Sequence, residues 1–111
     1  SNTPMRNQQE AKRWLPSESG TTIGTIGSEN GKIILDEEHT EGARITLEKD
    51  GHAPWGITCG MYGYFCHTAF ASSEEEALAK YESMKLDIVD ILQECEEQRQ
   101  IELIDNFVGV H

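Results

Sequence analysis

The sequence predicts an α+β domain in which an antiparallel meander of four to five strands is packed by one long C-terminal amphipathic helix. Two observations support this fold class. Residues 43–48 alternate between apolar and polar side chains, which is the period of a half-buried strand. From Ser73 onward, apolar residues recur every three or four positions, which is the period of a helix. Strands that come first and a helix that comes last predict two packed layers.

The first 20 residues are polar and predict an N-terminal arm outside a single domain of residues 21–111. Residues 1–4 are expected to derive from the expression vector. The arm contains Trp14 and Leu15, and apolar side chains of this size can dock an arm on a domain.

A first hairpin is predicted over residues 21–36, with Asn30 and Gly31 as its turn. Glycines make the first of its two strands weak. A polar connection is predicted next, at residues 36–42, before the alternating strand 43–48. The buried face of that strand is expected to carry Ala43, Ile45 and Leu47.

Residues 55–70 predict a second hairpin whose turn centres on Tyr62 and Gly63. This register is a hypothesis, because a shift of one residue exchanges the two faces of a strand. The face suited to cover by the helix then carries Trp55, Ile57, Cys59, Cys66, Thr68 and Phe70. The opposite face carries Gly56, Thr58, Gly60, Phe65, His67 and Ala69.

Ser73 and Glu76 form a capping box that predicts the start of the long helix. The predicted core stripe of this helix consists of Ala77, Tyr81, Met84, Ile88, Ile91 with Leu92, and Cys95. Residues 96–108 either continue the helix or form a second helix after a kink, and the sequence leaves both alternatives open.

The charge balance excludes two classes of partner. Twenty acidic and nine basic residues give a net charge of −11. Such a chain lacks the basic footprint that nucleic acids require, and it is repelled by anionic membrane surfaces. A basic protein partner remains compatible with this charge. Three cysteines without a CxxC motif, and no apolar leader segment, predict reduced thiols in the cytoplasm.

A ligand-binding site is predicted on the face of the second hairpin that the helix does not cover. It would consist of Thr58, Phe65 and His67, because the neighbouring glycines leave room for a ligand. The alternative is that His67 packs as a sheet residue beneath the N-terminal arm.

No catalytic residue is predicted. Cys66 and His67 resemble a nucleophile and its base, but neighbouring residues of a strand point to opposite faces. A pair of Cys59 or Cys66 with the distant His39 or His52 is the alternative. Buried thiols that only pack are the favoured interpretation.

No metal site or cofactor is predicted either. Residues 36–41 combine four carboxylates with one histidine, and such groups can bind divalent ions. The favoured interpretation is a solvated acidic connection, because alternate side chains diverge in an extended segment.

The predicted function is that of a small, non-catalytic cytoplasmic domain that self-associates and binds a protein or a small ligand. A homodimer with two-fold symmetry is expected, since a helix of residues 73–95 already outruns the sheet and leaves an apolar stripe beyond it. That stripe consists of Ile101, Leu103, Ile104, Phe107 and Val108. Two alternatives remain: an acidic inhibitor or immunity-type protein for a basic partner, and a cysteine-dependent enzyme.

Overall fold

The computed structural model describes residues 13–111 and shows a five-stranded antiparallel sheet with helices packed on one face. The strands lie in the sheet in their order along the chain, as in a meander. They are β1 (Trp14–Pro16), β2 (Lys32–His39), β3 (Ala43–Lys49), β4 (Trp55–Met61) and β5 (Phe65–Ala71). The helices are α1 (Glu74–Gln93) and α2 (Glu97–Val110), and a short 3-10 helix (Ser17–Gly20) follows β1. The predicted α+β class and antiparallel meander are confirmed.

The first strand lies inside the predicted N-terminal arm. β1 pairs with the end of β2, and Trp14 lies opposite His39. Trp14 is buried, with its ring 5.1 Å from the His39 ring, whereas Leu15 is exposed. The sheet therefore includes residues that the sequence assigned to the arm. Residues 1–12 of the arm lie outside the described residues.

The predicted first hairpin forms only in part. In place of a strand over residues 21–27, Ile26 alone makes an isolated bridge with Lys32. The turn closes where the Asn30 N–H donates to the Gly27 carbonyl oxygen at 3.0 Å, with Asn30 at a φ of 63°. Glycine has low strand propensity, so this segment forms a loop over the sheet instead of an outer strand.

β2 continues to His39, so the prediction of a polar connection at residues 36–42 is wrong. The acidic half of this strand is stable because each carboxylate has a polar partner. The partners are Arg44 for Asp36, Tyr81 and Lys85 for Glu37, and Ser17 and Tyr62 for Glu38.

Glu37 lies beneath α1 and binds two of its side chains. Its Oε1 accepts a hydrogen bond from the Tyr81 hydroxyl at 2.6 Å and from the Lys85 Nζ at 3.0 Å. Burial and the contact with Glu37 raise the pKa of Tyr81 above its ordinary value. The phenol therefore remains protonated and continues to donate.

The core lies between the sheet and α1. Ala43, Ile45 and Leu47 of β3 are fully buried there, as the alternation predicts. The helical members of the core are Ala77, Tyr81, Met84, Ile88, Val89 and Ile91 of α1, with Phe107 of α2.

The predicted start of the helix is confirmed, but one residue of its core stripe is not. The Ser73 Oγ accepts a hydrogen bond from the Glu76 N–H at 3.2 Å. Cys95 is exposed because α1 ends at Gln93, before the stripe would reach it. The assignment of Cys95 to the core is therefore wrong.

The turn at Tyr62 and Gly63 is confirmed, but the strand register derived from it is wrong. The Tyr64 N–H donates to the Met61 carbonyl oxygen at 3.0 Å, and Gly63 has a φ of 84°. Met61 then pairs with Phe65, which leaves Tyr64 as an extra residue. A turn in which only the third residue has a positive φ does not match the twist of the two strands that it joins. One extra residue in the loop compensates for this mismatch.

The extra residue exchanges the two faces of β5. Cys59 lies opposite His67 instead of Cys66, Ile57 opposite Ala69, and Trp55 opposite Ala71. We call the side covered by the helices the helix face and the other side the open face. β5 places Phe65, His67, Ala69 and Ala71 on the helix face. It places Cys66, Thr68 and Phe70 on the open face.

Residues 97–110 form a second helix, which decides between the two alternatives for this segment. α2 folds back onto the core, where Phe107 is buried with its ring 5.4 Å from the Phe65 ring. Leu103 and Ile104 are partly buried against the same core. The premise that this stripe lies beyond the reach of the domain is therefore wrong for these three residues.

Two members of the stripe do stay at the surface. Ile101 is 45% exposed and Val108 is 43% exposed. Within residues 13–111, neither helix has the length and apolar character needed to cross a bilayer.

Candidate functional site

A groove of about 580 Å³ lies on the open face of the sheet. Its floor is formed by the outward-facing residues of β3 and β4, and one wall is the loop of residues 22–28. Its lining includes the side chains of Thr22, Arg44, Thr46, Glu48, Thr58, Tyr62 and Cys66.

Glu48 fixes the loop that walls the groove. This carboxylate is buried, and it accepts hydrogen bonds from the backbone N–H of Glu29 at 3.1 Å and of Gly31 at 3.0 Å. A buried carboxylate is tolerated only where such donors replace water. The loop therefore has a defined position over the sheet, although it forms no strand.

Gly27 permits this close approach between loop and sheet. A Cβ at this position would lie 2.5 Å from the Glu48 carboxyl group. Real Cβ atoms do not approach other atoms so closely, so any larger residue would displace the carboxylate or the loop.

Arg44 lies in the floor of the groove with its guanidinium held in place. Its Nε and one terminal nitrogen donate to the two carboxylate oxygens of Asp36 at 2.9 and 2.6 Å. These hydrogen bonds raise the pKa of Arg44, which keeps it charged. The Asp36 side chain is fully buried, whereas the Arg44 side chain is 40% exposed. A guanidinium has five N–H groups, so this pair leaves donors for a ligand.

Hydroxyl groups provide most of the remaining polar lining. The Thr58 and Thr68 hydroxyls lie 3.1 Å apart on neighbouring strands, and only Thr58 borders the groove. The Tyr62 hydroxyl donates to the Glu38 carboxylate at 3.0 Å, which positions the ring at the groove. The Thr22 hydroxyl is buried without a hydrogen-bond partner among the described residues.

The electrostatics of the groove disfavour anions. The charge of Arg44 is balanced by Asp36, and Glu48 adds a negative charge to the lining. The chain as a whole carries a net charge of −11. Neutral polar groups, which can bond to hydroxyls and to a balanced guanidinium, match this environment.

The structure separates the three residues of the predicted ligand site. Thr58 borders the groove, as expected. His67 lies on the helix face, where its ring is 6.0 Å from the Phe107 ring and its Nε2 is buried without a partner among the described residues. Phe65 borders the groove, but its ring packs on Phe107. A single site made of Thr58, Phe65 and His67 is therefore wrong, and the register error is the cause.

Sequence reasoning did not identify Arg44 and Glu48 as residues of the site. Both were assigned to the polar face of the strand at residues 43–48, which is correct. Arg44, Thr46 and Glu48 are alternate residues of one strand, and this spacing gave no indication that a loop lies above them. Only the fold of residues 22–31 converts this polar face into a groove.

The cysteines differ in environment. Cys59 is buried on the helix face, and burial raises the pKa of its thiol to about 12. Cys66 is exposed on the open face and borders the groove. His67 lies directly opposite Cys59 in the sheet, but no hydrogen bond joins the two among the described residues.

The alternative pairs of a cysteine with a distant histidine can now be placed. His39 is buried on the helix side of β2, and its Nδ1 accepts the Glu41 N–H at 3.0 Å. Cys66 lies on the opposite face, three strands away. His52 lies in the loop between β3 and β4. Across residues 13–111, no group of three or more histidine, cysteine or acidic side chains is arranged to hold a metal ion.

Comparisons of the chain with known protein families, with characterised proteins and with solved structures gave no match.

Proposed function

We propose that this protein is a non-catalytic cytoplasmic domain that binds a small, neutral, polar organic molecule in the groove on the open face and that self-associates as a homodimer. The observation that carries the ligand proposal is the groove itself. Its volume of about 580 Å³ lies within the range of roughly 300–1,000 Å³ that is usual for small-molecule sites.

The chemistry of the lining supports a neutral ligand. Arg44 offers donors from a fixed position, and the threonine hydroxyls can both donate and accept. Ile26 and Ile33 add apolar surface to the lining. A ligand with carbonyl or hydroxyl groups on an apolar skeleton would use both kinds of contact.

Binding without catalysis is supported by the state of the thiols. Cys59 is protonated at neutral pH because burial raises its pKa to about 12, and only the thiolate is a nucleophile. The groove thiol, Cys66, has His67 as its sequence neighbour but on the opposite face of β5. The cysteine-dependent enzyme thus has less support than the binding domain.

Cys66 provides a way to block the groove. In a Cys95→Ser variant, N-ethylmaleimide is expected to modify Cys66 and leave the buried Cys59 intact. Saturation-transfer NMR with a library of neutral polar fragments should then detect binding before modification and none after it. The matched control is the Cys66→Ser variant modified at Cys95, which should bind like the unmodified protein.

Two results would contradict the ligand proposal. Fragments that bind equally well to the Cys66-modified protein would place the site elsewhere. A library in which only anionic fragments bind would contradict the charge argument for the groove.

A second candidate function is an acidic protein that inhibits a basic partner. Residues 74–105 carry eleven acidic and three basic side chains. On α1, the exposed Leu78 and Leu86 lie within a helical turn of the exposed Glu75 and Glu82. Such an apolar centre with an acidic rim suits a basic protein. Capture of a basic protein that weakens steeply as salt rises would support this candidate.

A further inference from the structure

The two edges of the sheet differ in how they are protected. β1 is three residues long and ends in Pro16, which has no N–H to offer a further strand. β5 is seven residues long, contains no charged residue and no proline, and pairs with β4 without a register shift. Among the described residues, no hydrogen bond reaches the outer edge of β5.

An unprotected edge of this length is unusual for a strand that stays exposed. Soluble proteins normally blunt their edge strands with lysine, proline, bulges or very short strands, because an open edge pairs with other chains. Charged residues make up 26% of this chain, yet none lies in β5. Its composition is that of a strand with a neighbour on both sides.

We propose that β5 pairs in antiparallel fashion with β5 of a second copy, so that two five-stranded sheets form one continuous sheet. This interface rests on the homodimer proposed above and names the surface that forms it. A two-fold axis between the two β5 strands limits the assembly to two copies. Pairing of β5 with β1 of the next copy would instead leave an unpaired edge at each end and produce an open chain of molecules. The short β1 and its Pro16 also oppose that arrangement.

Charge restricts where two copies can meet. Two chains that each carry −11 repel one another, so they meet most easily where neither has a charge. β5 is such a segment, and pairing centred on Thr68 gives the longest overlap of two seven-residue strands. Thr68 then faces Thr68 of the second copy, and Phe70, which is 49% exposed, faces Cys66 of the second copy.

The position of α2 extends this interface. Phe107 packs on Phe65 and His67, so α2 lies over β5. A two-fold axis at β5 therefore brings the two α2 helices towards each other. The exposed Ile101 and Val108 lie on that helix.

Sedimentation velocity over a series of micromolar concentrations tests the proposal. The unmodified chain is expected to sediment as a dimer. Thr68→Lys places two ammonium groups opposite each other at the axis and should raise the dimer dissociation constant at least about tenfold. The matched control is Leu15→Lys, which adds the same charge at the β1 edge on an exposed residue and should leave the constant unchanged.

A cross-link keeps the test decisive if Thr68→Lys does not fold. Thr68→Cys in a background of Cys66→Ser and Cys95→Ser should form an intermolecular disulfide, since opposed residues of antiparallel strands have Cα atoms about 4.5–5.5 Å apart. The same background with Leu15→Cys should not cross-link.

Three outcomes would overturn the β5 interface. The chain could sediment only as a monomer, which would also remove the homodimer. Ile101→Lys could dissociate the dimer while Thr68→Lys does not. The homodimer would then exist, but its interface would lie on α2 and not on β5. Binding of an extended peptide to a monomer along β5 would make the occupant another protein. Cys66 belongs to both the groove and this interface. The ligand proposal is therefore judged by fragment binding to the unmodified protein, and the β5 interface by sedimentation of the unmodified chain and of Thr68→Lys.

Discussion

The two faces of the sheet are filled in different ways. On the helix face, Ile45, Leu47 and Ile57 are fully buried beneath α1. On the open face, a loop is held by hydrogen bonds to Glu48 and leaves a groove beneath it. Apolar packing is non-directional and fills space, whereas hydrogen bonds fix a few atoms at set distances and can leave space between them. The helix face is thus closely packed, whereas the open face keeps a groove.

The largest expected effect tests this difference on neighbouring residues of one strand. Leu47→Ala should lower the free energy of unfolding by about 2–5 kcal/mol, because it leaves a cavity under α1. Thr46→Ala, the matched change on the open face, should cost about 1 kcal/mol or less. Urea denaturation measures both, and equal losses would remove the distinction between the faces.

A smaller effect is expected where the loop is held. Glu48→Gln keeps the volume but directs an amide NH₂ towards backbone donors, which should cost about 2 kcal/mol. Hydrogen exchange at the Glu29 and Gly31 amides should become faster. Glu41→Gln is the matched control on an exposed side chain and should change stability by no more than about 0.5 kcal/mol. Unchanged exchange at both amides would show that other contacts hold the loop.

The thiols on the two faces give the smallest effect. At neutral pH the Cys59 thiol is protonated in both the folded and the unfolded state, so it contributes no pH dependence there. Above its ordinary pKa of 9.0 the thiol ionises in the unfolded chain, whereas burial keeps the folded thiol protonated until about 12. Stability should therefore fall by about 1 kcal/mol between roughly pH 9 and pH 10.

Two measurements check the thiol prediction. The pH dependence of unfolding should be shallower in Cys59→Ala than in the unmodified chain over this range. In the folded protein, iodoacetamide should modify Cys66 and leave Cys59 intact, as read by mass spectrometry. Modification of Cys59 at the same rate would mean that the helix face is open to solvent.

Periodic segments of the sequence were sufficient to predict the main elements. Two patterns did this: the alternation of apolar and polar residues in β3, and the capping box followed by the apolar stripe in α1. Both patterns involve only residues that are close together along the chain. Local patterns of this kind indicate structure because the backbone period decides which side chains share a face.

The acidic end of β2 could not be recognised in this way. Asp36, Glu37 and Glu38 resemble a loop because their partners come from β3, α1, the 3-10 helix and the turn between β4 and β5. Contacts with distant segments offset the free-energy cost of removing these carboxylates from water. Such contacts leave no pattern in the local sequence. For the same reason the sequence did not show that Phe107 returns to the core.

The site was mispredicted because of one residue. Tyr64 is extra in the hairpin between β4 and β5, and its presence depends on the twist of the turn at Gly63. That single position moved His67 from the predicted ligand site to the helix face. Thr58, on the other side of the turn, kept its predicted face.

Glu37 has a consequence for how the two layers are aligned. A smooth apolar contact between a helix and a sheet would allow the helix to slide or rotate at little cost. Here one carboxylate oxygen receives Tyr81 and Lys85 together, so any sliding of α1 by a turn would break both bonds at once beneath the helix. The position of α1 along the sheet is therefore fixed by this polar contact, and the apolar residues around it fill the space that remains.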